Sequence, residues 1–183
     1  MNTFRWIAVI VAMIMGLGIA RLLISTVGIF RARRRAKLDW LPLVWAATIF
    51  LQEVAFWWSL EEAASRVEVW TLPSFLMLVA LVLALFMAAA LILPFNELEK
   101  GESLRTFFEE DGRWALVALA VFNLAIGVLN FRRGGGHLSE QVVLNAVFAS
   151  MALAAFLGPR RIQVLASLAC PPIIVWGVVR LTS

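Results

Sequence analysis

Six apolar runs, each long enough to cross a lipid bilayer, dominate this chain: about residues 4–30, 40–60, 70–94, 114–131, 138–157 and 162–181. A span needs about 20 mostly apolar residues to cross a hydrocarbon core of roughly 30 Å. The runs are too long and continuous for the period-2 alternation of barrel strands. Lipid offers the backbone no hydrogen bonds, so each run must satisfy its own as a helix. The expected fold class is therefore all-α: one polytopic membrane domain over residues 1–183 with six transmembrane helices. Composition agrees, with 62% hydrophobic and 15% charged residues, against about half and a quarter in a soluble domain. A globule of this size could not bury so much apolar surface.

The connections carry the charge, and their signs set an orientation. Residues 31–39 hold Arg31, Arg33, Arg34, Arg35 and Lys37; residues 158–161 form a tight basic turn; residues 96–113 mix Lys100, Arg105 and Arg113 with acids. Lys and Arg number ten on the first, third and fifth loops and five on the other loops and tails. The positive-inside rule then places the loop from Arg31 to Asp39 in the cytoplasm and both termini outside. Short basic loops and the lack of an Asn-x-Ser/Thr sequon suit a bacterial inner membrane. Trp6, Trp40, Trp57, Trp58, Trp70, Trp114 and Trp176 fall near predicted helix ends, where indole favours the interface, while Trp45 lies deeper. Arg5, the apolar residues 6–15 and Gly18-Ile19-Ala20 imitate a signal peptide. The apolar run continues to Phe30, so a retained first helix is expected.

Polar residues inside the runs are the informative ones. Arg21 stands ten residues before Arg31, hence about 15 Å below the cytoplasmic edge. Gly18, Arg21 and Ser25 share a helix face. Glu53 lies at a depth that differs from that of Arg21 by only about 5 Å, and Gln52 stands beside it. Charges at such depth face protein or water, so an Arg21–Glu53 pair is expected. It has three readings: a structural staple, a proton- or cation-binding carboxylate tuned by arginine, or an arginine that snorkels to anionic headgroups. Further stripes are Asn123, Gly127 and Asn130 in the fourth run, Gln141 and Asn145 in the fifth, and Gln163, Ser167 and Cys170 in the sixth. Together they either line a wet cavity or bond across helices as packing glue. Pro171-Pro172 should kink or break the last helix. The third run has no polar side chain from Leu76 to Leu93, and Ala80, Ala84 and Ala88 form a small-residue stripe suited to lipid or to a homo-oligomer contact.

Catalytic parts are missing. His137 is the only histidine and Cys170 the only cysteine, and no HExxH, GxSxG or P-loop occurs. No enzyme, metal or cofactor is expected, and the basic balance is explained by orientation, with membrane lipids rather than nucleic acid as the surroundings. The expectation is a small channel or transporter for a cation or proton, with Arg21, Gln52, Glu53, Asn123, Asn130, Asn145, Gln163 and Ser167 at its polar centre. Three spans followed by three of opposite orientation permit a 3+3 inverted repeat. The competing class is a non-transporting sensor, assembly factor or partner-binding protein. It would use Leu104, Phe107 and Phe108 of the long loop as a docking face.

Overall fold

The chain, seen in a computed structural model, is described over residues 3–65 and 71–182, with side chains over 6–60 and 71–177. It is all-helical: α1 Thr3–Ala32, α2 Trp40–Ser65, α3 Leu72–Leu91, α4 Leu104–Phe107, α5 Trp114–Arg133, α6 Glu140–Leu157 and α7 Arg160–Thr182. A π-helical turn, Phe108–Gly112, joins α4 to α5. Five helices are long and apolar enough to cross a membrane, with candidate spans Trp6–Ala32, Trp40–Leu60, Leu72–Leu91, Trp114–Arg133 and Glu140–Leu157. The expected sixth span coincides with α7, which is not among these five. That helix opens on Arg160 and Arg161 and carries Gln163 and two prolines.

Local chemistry sets the helix ends. Thr71 caps α3 by accepting from Ser74 N at 3.4 Å, with Pro73 in the first turn. Ser139 does the same for α6 through Val142 N at 3.4 Å. Each side-chain oxygen satisfies an amide that lacks a partner within its helix. The α5–α6 turn needs Gly135 and Gly136, whose φ angles of 67° and 84° suit residues without Cβ. Pro171 and Pro172 do not break α7, which continues through both.

Packing runs in a closed ring: α1 on α3, α3 on α5, α5 on α6, α6 on α7, α7 on α2 and α2 back on α1. Side chains of α2 also reach across to α5, with Phe56 edge-on to Phe122 at 5.4 Å between ring centroids. One apolar core draws on all six long helices, including Leu22, Trp45, Ile49, Leu85, Leu116, Ala152 and Cys170. A smaller cluster of Ile7, Val11, Met15, Leu60, Leu78 and Val82 closes the end where α1 starts and α2 finishes. The outward faces are apolar too: Met13, Leu17, Ile24, Leu76, Leu165 and Leu168 are all exposed.

The packing bears on three expectations. One face of α3 packs on α1 and α5 and buries Ala88, whereas its outer face, with Leu76, Ala80, Leu83 and Met87, is exposed and Ala84 is half-buried. Leu104 and Phe108 are fully buried in the main core, because the loop must cover the short end of α3, so they form no docking face. An inverted repeat would set α5 on α7 as α1 is set on α3. Among the described residues α5 packs mainly on α3 and α6, so the contacts do not confirm an inverted repeat.

The first, third and fifth loops meet at one end, as alternating spans require. Lys37 N donates to Glu102 O at 2.9 Å and Leu104 N to Lys37 O at 3.0 Å. Glu97 pairs with Arg35 and, at 3.8 Å, with Arg31. Asp39 ties the first loop to the fifth through Arg160, and its other oxygen accepts from Leu41 N at 3.2 Å to cap α2. Both roles predict an order of thermal stability in detergent. Asp39→Asn keeps the cap and weakens the pair, whereas Asp39→Ala loses both, with the cap alone worth about 1 kcal/mol. Unfolding midpoints should fall from wild type through Asp39→Asn to Asp39→Ala; equal midpoints for the two variants would remove the cap from the account.

Candidate functional site

Glu53 sits in the second half of α2, where a straight apolar helix leaves its side chain no water to reach. It is fully buried, and neither carboxylate oxygen has a hydrogen-bond partner. It meets α1 at Gly18. A Cβ built on Gly18 would overlap Glu53 Oε1 and lie 3.3 Å from Cδ, with the Ala89 methyl of α3 at 3.7 Å. The carboxyl is thus wedged between α1, α2 and α3, against a helix backbone that only glycine exposes. An ionised carboxylate buried without a partner costs several kcal/mol.

Arg21 does not relieve that cost. The expected Arg21–Glu53 pair is absent, because the guanidinium is engaged elsewhere. It donates to Ala90 O at 3.3 Å, to Leu93 O at 3.1 Å and to Ser25 Oγ, and stacks over Phe95 at 4.9 Å from the ring centroid. Ser25 Oγ donates onward to Pro94 O at 3.0 Å. These acceptors belong to the end of α3 and the residues just beyond it. The last carbonyls of a helix lack internal partners and form the negative end of its dipole. A cation on the neighbouring helix satisfies both needs. Arg21 is therefore a staple, with α3 rather than α2 as its partner. The sequence held one cue, Pro94, which has no N–H to offer Ala90 O four residues earlier.

The remaining polar residues divide. Gln52 and Asn123 are brought together: Asn123 Nδ2 donates to Gln52 Oε1 at 3.1 Å and to Leu119 O at 2.9 Å. Gln163 and Ser167 are buried, but each bonds locally, to Gly158 O at 3.5 Å and Val164 O at 2.9 Å, and Gln163 Oε1 has no partner. Asn145 is half-buried and donates to Gln141 O of its own helix at 2.7 Å. Asn130 is half-buried near the end of α5. The stripes on α5, α6 and α7 do not share one hydrogen-bonded network; Gln52 and Asn123 form the cross-helix link beside Glu53. Trp45, fully buried with Nε1 unpartnered, is a buried polar group that the interface argument from sequence passed over.

Compared with protein-family models, curated proteins and solved structures, the chain finds no match.

The Gly18 contact yields a direct test. Gly18→Ala should destabilise the protein, since the added methyl must displace Glu53 or part α1 from α2. Combining it with Glu53→Ala removes the obstacle. Thermal or denaturant unfolding of both single variants and the double should reveal a coupling of about 0.5–3 kcal/mol, with the double more stable than Gly18→Ala alone. Strict additivity would mean that the two residues do not meet.

Proposed function

We propose that this protein is a small integral membrane transporter for a proton or another small cation, with Glu53 as its binding carboxylate. The observation that carries the reading is a carboxyl group enclosed by three helices with no partner of its own. Ionisable groups inside a membrane are costly, and they mark ion pathways by default. A structural carboxylate would be expected to have a donor, as Asp39 has in Arg160. Side chains of α2 reach across the ring to α5, which favours a carrier with an occluded site over an open pore. On this reading α7 completes six spans in a bacterial inner membrane. The loop from Arg31 to Asp39 then faces the cytoplasm, and copies assemble through the free part of the small-residue face at Ala80 and Ala84.

Arg21 enters this proposal as the residue that fixes α1 on α3, not as the tuner of Glu53. The non-transporting alternative loses its main support with Leu104 and Phe108 turned into the core.

Flux into proteoliposomes, followed with a pH-sensitive dye and with tracer cations, tests the reading. Wild type should exceed protein-free vesicles, and Glu53→Gln, which keeps shape and loses the charge, should fall to their level. Equal flux in wild type, variant and empty vesicles would end the proposal.

A further inference from the structure

We infer that the species occupying the Glu53 site is a proton rather than a metal cation, an inference that rests on the transport reading for its purpose though not for its measurement. The argument is one of ligand count. Ca²⁺ takes about six to eight oxygens, Mg²⁺ about six in octahedral array, and K⁺ is held by rings of free carbonyls. Around Glu53 the structure shows two carboxylate oxygens and no hydrogen-bonding partner for either. Gly18 presents helical backbone and Ala89 a methyl group. Gln52, the adjacent amide, has its carbonyl oxygen turned to Asn123 on α5. Backbone carbonyls within α1 and α2 at this level are occupied by their own helical bonds. Among the described residues no group of three or more His, Cys, Asp or Glu comes together.

A proton makes no such demand. It binds one carboxylate oxygen, removes the charge and needs no coordination shell, so it alone is compatible with a site this bare. Among the described residues no other charged group pairs with Glu53. Arg21 of α1 is spent on Ala90 O, Leu93 O and Ser25, α3 carries no ionisable residue, and α7 brings Cys170 into the core. Gly18 then has a positioning function. By lacking a Cβ it lets the carboxyl press against α1, which leaves no room for a hydrated ion on that side.

Infrared difference spectroscopy of the full chain in lipid nanodiscs reads the occupant directly. The wild type should show the carbonyl stretch of a protonated carboxyl group, absent in Glu53→Gln and unchanged by saturating Na⁺, K⁺ or Ca²⁺. Should Glu53→Gln fail to fold, Glu53→Asp serves instead, because it moves the band rather than removing it. Gly18→Ala should also shift the band, since it displaces the same oxygen. Loss of the band on adding any of the three ions, or a spectrum showing only ionised carboxylate at this position, overturns the inference. A protonated band without any flux in vesicles upholds the occupant and sinks the transport reading; Na⁺- or K⁺-coupled flux with no such band does the reverse.

Discussion

The early end of α3 organises the rest of the molecule. That helix stops at Leu91, and its last carbonyls must be satisfied by something other than the next turn. Arg21 and Ser25 on α1 supply the donors, aimed at Ala90, Leu93 and Pro94. The chain then returns along α1, where a Cβ on Gly28 would lie 3.7 Å from Glu97 Cγ, and is stitched to the first loop through Lys37. One guanidinium thereby ties α1 to the end of α3 and to the start of the third loop. In committing Arg21 to backbone oxygens, the fold leaves Glu53 without a cation.

That consequence was hidden from a side-chain inventory, and the reason is physical. Counting residues along helices gives depth well, because the rise per residue is fixed, and depth correctly puts Arg21 and Glu53 near one another along the bundle. Azimuth is what decides partners. Gly18 and Arg21, one turn apart, share a face broad enough to meet two helices, so Gly18 addresses α2 while Arg21 addresses α3. The acceptors that win Arg21 are carbonyls, which every residue carries and no motif records. Pro94 was legible as a helix stop, but not as the reason a cation would be drawn there.

The helices themselves were far easier to read. Apolar run length is a coarse signal that local detail cannot overturn, and the helix limits fall close to the predicted spans, as with Trp114–Arg133 against residues 114–131. What the runs could not give was their order around the bundle. An all-apolar helix such as α3 reads as lipid-facing from its composition, and Leu76, Leu83 and Met87 are exposed, but which residues turn to α1 and α5 was not legible. In lipid the outer surface is as apolar as the core, so hydrophobicity no longer tells inside from outside. Residue size does not tell them apart either: α3 buries Leu78, Leu81, Val82 and Leu85 as well as Ala88 and Ala89, while Ala80 is exposed. The same ambiguity applies to Leu104 and Phe108, whose apolar side chains in a charged loop fit a docking face as well as a plug.

Two buried carboxylates on one helix show how the fold treats charge when it has a choice. Asp39, at the start of α2, is given a guanidinium by Arg160 and an amide by Leu41. Glu53, farther along the same helix, is given neither, although the side-chain amide of Asn123 bonds the adjacent Gln52. Replacing Glu53 with an apolar residue of similar volume would relieve a cost of several kcal/mol, and nothing in the packing around Gly18 and Ala89 requires a carboxyl there. A cost retained at a position where relief is one substitution away is accounted for by something the packing does not supply. On the proposed reading, a mobile positive charge that visits Glu53 and leaves again meets that condition, and a fixed cation would not.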